Sequence, residues 1–267
     1  MNNCVLAIDI GIRNLSLCVM SCECPGDFQT YKIHLWGVYD TLDTEEHLCK
    51  DTLKNKKICN KKCKYKYLDN EKTDTKHYLY CCKSHFPKNM TIQKTNHFKK
   101  KNIKDYLLQD IALIVLGKLQ KIYDDNITLF EKLSGIYIEL QPKINSSMKF
   151  TSHIIYGKLA ELMKDTKCII RFVRASQKLK AYTGPYLECK LKGAYAKRKW
   201  LSIQYTKWFL ENKFSDEERR VWLDDFLSCG KADDRSDGLL MALNALNSSK
   251  KSKKQKTTFK KSNMELE

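Results

Sequence analysis

Two periods of apolar residues divide this chain. "CVLAIDI" (Cys4–Ile10) and "LSLCVMSC" (Leu15–Cys22) are apolar runs separated by Gly11–Asn14, the pattern of a β-hairpin. "YKIHLWGVYD" (Tyr31–Asp40) alternates and predicts a third strand, which completes an antiparallel meander. From residue 41 to about 104 both periods fade, and the stretch reads as an insertion. Helical spacing returns in Asp105–Asp125, with Leu107, Leu108, Ile111, Ile114, Val115 and Leu119 on one broad face. Ser134–Gln141 predicts a short buried strand. Phe150–Asp165 predicts a helix capped by Thr151 or Ser152, and Lys167–Ala175 another strand. Ala194–Asn212 and Asp233–Asn247 predict the last two helices. A meander followed by alternating helices and strands implies an α/β fold, a mixed sheet covered by helices on both faces.

Four carboxylates stand in or at the ends of these elements, next to apolar sequence. Asp9 lies inside the first strand, and Glu139 near the end of "IYIEL". Asp234 and Asp237 stand three apart at the start of the last helix and so share a face. Each adjoins apolar sequence, where an unpaired carboxylate is costly. Taken singly, each fits an ion pair or a helix cap, and Asp233 reads better as a cap than as a ligand. Together they suit divalent cations: Mg²⁺ prefers carboxylate oxygens, and two ions about 3.5–4 Å apart support phosphodiester cleavage.

"AIDIGIRNLS", "IELQP" and "KADDRSDGLLMALNAL" resemble the three signature blocks of the RuvC-like Holliday junction resolvases, in particular the poxvirus-type group of large DNA viruses. The resemblance spans residue 4 to about 246, apart from the insertion, and the closing block is its most specific part. It implies a ribonuclease H-like nuclease domain over 1–247. It also implies a homodimer that incises four-way DNA junctions during viral recombination, with two Mg²⁺ per active site and 5′-phosphate and 3′-hydroxyl products. Asp9 would bridge both ions, Glu139 and Asp237 would complete one site each, and Asp234 would ligate an ion or orient a water. The family's basic patch matches Lys197, Arg198 and Lys199. Lys143 and Lys149 beside the "ELQP" strand, with Lys231 before the closing block, extend it as a phosphate-gripping surface. Rival readings are a different ribonuclease H-like nuclease, acting on RNA–DNA hybrids or in transposition, and a non-catalytic zinc-containing DNA-binding module. The sequence marks no small-molecule substrate and no activated nucleophile triad.

The net charge of +18 is segregated. Residues 51–104 carry sixteen lysines and four acids, or +12; residues 248–267 carry seven lysines and two glutamates, or +5; the rest amounts to +1. Segregated positive charge favours a polyanion partner. The stretch from 248 reads as a disordered basic tail. There is no long apolar run for a membrane span, and the N-terminus does not read as a secretory signal. Twelve cysteines therefore point to a reducing, intracellular setting; the resemblance implies that this is a viral replication site in the host cytoplasm or nucleus. "CNKKC" and "YCCKSH" within 41–104 have the ligand spacing of a structural zinc site: Cys59, Cys63, Cys82 and His85, with Cys81 a rival for the third place. A lysine-rich segment with few apolar residues needs such a staple to fold.

Overall fold

A computed structural model describes residues 3–42, 47–53, 55–68, 78–97, 103–141 and 145–264, with side chains as far as 248. The chain divides into two compact units, one formed by Met1–Leu42 with Leu107–Glu267 and the other by Asp43–Tyr106.

The larger unit is built on a five-stranded sheet. Its strands are β1 (Asn3–Asp9), β2 (Asn14–Cys22), β3 (Tyr31–Asp40), β6 (Gly135–Leu140) and β7 (Ile169–Arg174), in the order β3-β2-β1-β6-β7. The meander β1-β2-β3 is antiparallel, whereas β6 and β7 run parallel to β1. This is the mixed sheet, an antiparallel meander joined to parallel strands, that the sequence pattern predicts. The turn between β1 and β2 depends on Gly11, because a Cβ there would lie 2.3 Å from the Asn14 carbonyl oxygen.

Helices cover both faces. β1 is central, so its side chains alternate between two buried layers. Val5 and Ala7 join a core with Cys18, Met20, Trp36 and Phe209, covered by α4 (Ala194–Asn212), α5 (Asp216–Ser228) and α6 (Ala232–Met264). Leu6 and Ile8 are fully buried on the opposite side, where α1 (Leu108–Asp124) packs against α3 (Ser146–Leu162). A short helix, α2 (Ile127–Phe130), links α1 to β6.

Three sequence expectations shift. The helix expected from Phe150 begins at Ser146, because the Asn145 side chain caps it by accepting the Met148 N–H at 3.1 Å. Thr151 and Ser152 instead donate to the carbonyls of Ser147 and Lys149 inside the helix. α5 is an additional helix whose apolar stripe is narrow, and its signal is the cap Ser215 with Glu218 three residues on. The backbone of α6 stays helical through Met264 where a disordered tail from 248 was expected; lysine favours helix, and extending a formed helix avoids the cost of nucleation.

α6 is held against the sheet in two ways. Gly238 lets it approach β2 closely, since a Cβ there would meet the Ser16 hydroxyl at 2.8 Å. The buried Arg235 guanidinium lies 4.3 Å from the Trp36 ring centre, donates to the Trp36 carbonyl at 3.2 Å and pairs with Asp225 of α5. The Trp36 indole N–H in turn donates to the Arg235 carbonyl at 2.9 Å.

The smaller unit has one hairpin, β4 (Tyr65–Leu68) with β5 (Tyr78–Cys81), and a core of Cys49, Cys59, Cys63, Tyr65, Cys81, Cys82 and Phe86. Among the described residues no helix is long and apolar enough to cross a membrane.

Candidate active site

Strand register brings the first two acids together. β1 and β6 pair in parallel up to Ile8 with Ile138, so Asp9 and Glu139 follow side by side at the carboxyl ends of both strands. Asp9 shares the sheet face of Val5 and Ala7, the one α6 covers. The start of α6 adds Asp234 and Asp237 to the same cleft, of about 390 Å³. All four expected carboxylates therefore line one cavity.

At its centre is a residue that the sequence reading missed. Lys178, 6% exposed, places its Nζ 2.8 Å from Asp9 Oδ1, 3.0 Å from Glu139 Oε1 and 2.8 Å from Asp237 Oδ2. It belongs to a 3₁₀ segment, Ala175–Ala181, that immediately follows β7. That position was the available signal: a lysine just past the carboxyl end of a parallel strand, the end that also bears the acids. Asp234 stands apart from this group and accepts a hydrogen bond from Asn14 Nδ2 at 3.1 Å. Gln141 Nε2 donates to Glu139 Oε2 at 3.0 Å.

The electrostatics follow from burial and crowding. Burial, then a hydrogen bond with Glu139, pushes Asp9 well above the usual carboxylate range against the pull of Lys178. Burial would raise Glu139 too, but the bond from Asp9, the Lys178 charge and the Gln141 amide outweigh it and hold it low. Asp234 is raised by burial and by the charge of Asp233. Burial works against the Lys178 ammonium, yet the charges of Asp9, Asp237 and Glu139 prevail and raise it, so it stays protonated.

This site fits a divalent cation on its own chemistry. The donors are all oxygens, drawn from rigid elements, and the chain already places a positive charge among them.

The expected DNA-contact residues separate. Arg198 and Lys199 line the cleft with Tyr195. Lys199 also pairs with Asp233, leaving Asp234 as the acid of that pair that faces the cavity. Lys149, Lys197 and Lys231 are exposed and are not among the cleft-lining residues. Lys143 lies outside the described residues.

In the smaller unit the thiol–imidazole set differs from the expected one by a single member. Cys49, Cys59, Cys82 and His85 bring their ligand atoms within 4.8 Å of one another, so Cys49 stands where Cys63 was expected. The cause is long-range pairing that local spacing does not reveal. The Leu48–Lys62 and Thr52–Ile58 bridges fold 48–62 back on itself, and the Cys49 N–H donates to the Lys61 carbonyl at 2.9 Å, which sets Cys49 beside Cys59. Cys63 is buried in the same core but bonds through its backbone to His47. Neither Cys63 nor Cys81 joins the set. The Cys59–Cys82 sulfur separation is 3.8 Å, and His85 Nδ1 lies 3.3 and 3.4 Å from the sulfurs of Cys49 and Cys82. A tetrahedron with Zn–S bonds of about 2.3 Å has edges of about 3.8 Å, so these atoms fit zinc. Burial raises the Cys82 thiol, but hydrogen bonds from the His85 N–H, the Cys59 thiol and the Ser84 N–H outweigh it and bring it to about 7.

No protein-family model and no curated protein matches this chain. Among solved structures, the chain is similar to the Fowlpox virus resolvase in complex with its substrate Holliday junction DNA, at 12% identity and a TM-score of 0.42 over 92% of this chain and 97% of that one. It is likewise similar to Thermus thermophilus RuvC, at 10% identity and a TM-score of 0.41 over 92% of this chain and 95% of that one.

Proposed function

We propose that the chain is a Mg²⁺-dependent, structure-selective DNA endonuclease that resolves four-way junctions. The supporting observation is the convergence of Asp9, Glu139 and Asp237 on one buried ammonium at 2.8–3.0 Å, with Asp234 in the same cleft. Three acids from three separate elements are not gathered around a cation for stability alone. Replacing a buried ionic cluster with apolar packing is often neutral or stabilising, so its presence points to chemistry. The motif resemblance supplies the junction as substrate and the homodimer, whose twofold axis would match that of the junction.

Asp9, Glu139, Asp234 and Asp237 would hold the divalent ions. Once bound, those ions would supply an activated water and stabilise the leaving oxygen. The chain's own residues do the rest. Lys178 keeps the carboxylates from repelling one another and, being firmly protonated, acts as a donor rather than a base. Gln141 fixes the rotamer of Glu139 and Asn14 that of Asp234. Arg198 and Lys199 at the lip attract the phosphate, and Tyr195, 65% exposed, offers a ring face to a base beside it. Cys49, Cys59, Cys82 and His85 would hold a structural zinc, four ligands leaving no open position for catalysis.

The test compares a four-way junction, a linear duplex of the same sequence and an RNA–DNA hybrid, each with and without Mg²⁺. Cleavage of the junction alone, and only with Mg²⁺, is expected. Asp9→Asn should lower the rate at least ~10³-fold, about 4 kcal/mol of barrier, and leave junction binding intact. A hybrid cut faster than the junction, or an Asp9→Asn variant cutting at the wild-type rate, overturns the proposal. Binding with no Mg²⁺-stimulated cleavage would make the protein a zinc-containing DNA-binding module.

A further inference from the structure

The smaller unit holds a cavity of about 510 Å³ that the proposed nuclease site does not use. Lys61, Lys62 and Lys64 enter it from one segment, and Lys83 and Ser84 from the turn after β5; Tyr65 and the metal-site residue Cys82 form its floor. All four lysines are exposed at their outer ends.

We infer that this lysine-lined cavity binds the phosphodiester backbone of nucleic acid, as a second DNA contact separate from the carboxylate cleft. The main alternative is an ordinary solvated lysine face. On such a face lysines spread apart and interleave with acids. Here residues 59–68 and 78–90 contain no acid at all. The only acid between 47 and 68, Asp51, accepts the Cys49 thiol at 3.3 Å and does not line the cavity. Nor are the two lysine-bearing segments free to part. The Lys64 N–H donates to the Cys81 carbonyl at 3.0 Å, and the Lys61 carbonyl accepts the Cys49 N–H at 2.9 Å. The fold thus holds Lys61, Lys64 and Lys83 around a concavity that, among the described residues, no acid lines, an arrangement that suits an anion.

The spread of the cations selects the anion. One small phosphate is saturated by donors at a single point. Cations contributed by two segments around a cavity of about 510 Å³ suit a polymer that presents successive phosphates, and their gain is the release of condensed counterions. Such contacts read no bases, so they should strengthen binding to any duplex and leave structure preference to the other unit.

The experiment uses the full, zinc-loaded chain without Mg²⁺, so that binding is read in the absence of cleavage. Affinity for a linear duplex and for a four-way junction is measured across a salt series, with zinc content determined for every variant. The triple variant Lys61→Gln, Lys64→Gln, Lys83→Gln should keep its zinc. It should reduce the slope of log K against log salt by about 2 to 3, and lower both affinities by the same factor, roughly tenfold or more near 0.1 M salt. Lys61→Gln and Lys83→Gln alone should each reduce the slope by about 0.9, which keeps the test open if the triple variant folds poorly. The corresponding Lys→Arg triple should retain the wild-type slope. An unchanged slope with zinc retained overturns the inference. A variant that keeps its DNA slope but loses binding to polyglutamate overturns it in favour of an acidic polypeptide partner. Failure of junction cleavage leaves this test unaffected, because it reads binding alone.

Discussion

Lys178 and Glu218 are both charged residues buried in the larger unit, with opposite consequences. Lys178 is compensated three times over, by Asp9, Glu139 and Asp237. Replacing it with methionine leaves three crowded carboxylates without their cation, a loss of about 3–5 kcal/mol for a buried pairing of this kind. Lys178→Met should therefore melt well below wild type in the absence of divalent ions, and millimolar Mg²⁺ should restore more of its melting temperature than it adds to wild type. Equal Mg²⁺ responses by differential scanning fluorimetry would show that the lysine and the metal do not share the site. Glu218 has no such ring of opposite charge: its carboxylate accepts the Ile33 N–H at 3.0 Å and a bond from the Trp222 side chain, yet burial outweighs them and raises it above the ordinary range. A raised acid contributes stability that is present below its unfolded value and is lost as pH rises through the folded one. Glu218→Gln keeps the acceptor without the charge. It should melt above wild type at pH 7 and level with it near pH 4. At this scale the four acids were legible in the sequence because Asp9 and Glu139 each break an apolar strand and Asp234 and Asp237 stand three apart where a helix opens. Lys178 was not, because a lysine between polar neighbours in "SQKLK" looks like any surface lysine until the sheet places it.

Between elements, the site depends on α6 lying close to β2 and on the register of β1 with β6. Gly238→Ala places a methyl group 2.8 Å from the Ser16 hydroxyl, and Ser16 pairs with Asp9 in the β1–β2 ladder. Relieving this contact by an outward shift of the helix carries Asp234 and Asp237 away from Asp9. Alanine is worth about 1 kcal/mol more than glycine to a helix, so stability changes little while cleavage should fall ten- to a hundredfold. Removing the obstructing hydroxyl with Ser16→Ala should recover most of the lost rate in the double variant, and rates that simply multiply would refute steric coupling. The meander, α1, β6, β7 and α4 could be read from periodicity. α5 could not, since Val221 and Leu227 are exposed and only residues such as Trp222 and Phe226 face inward.

Over the whole molecule, sequence-local signals carried the division into a nearly neutral body and a basic, cysteine-rich insertion. They did not carry which thiols meet. Cys59 and Cys82 came from short spacings, whereas Cys49 enters through the backbone pairing of Leu48 with Lys62, which no ligand-spacing rule contains. The same limit applies to the cavity of Lys61, Lys64 and Lys83, where Lys83 is remote in sequence from the other two and is brought to them by the bond from the Lys64 N–H to the Cys81 carbonyl.

The ammonium at the heart of the carboxylate cage has one more effect. A counter-ion tethered to the chain cannot be dialysed away, so the larger unit should wait, folded, through metal starvation, with ion supply deciding when it works and not whether it persists. The smaller unit has its cysteines and histidine assembled around a place for a soluble ion and should unravel when that ion is withdrawn. Exhaustive chelation followed by calorimetry should therefore erase one melting transition and spare the other, and Mg²⁺ added back should find an intact cage.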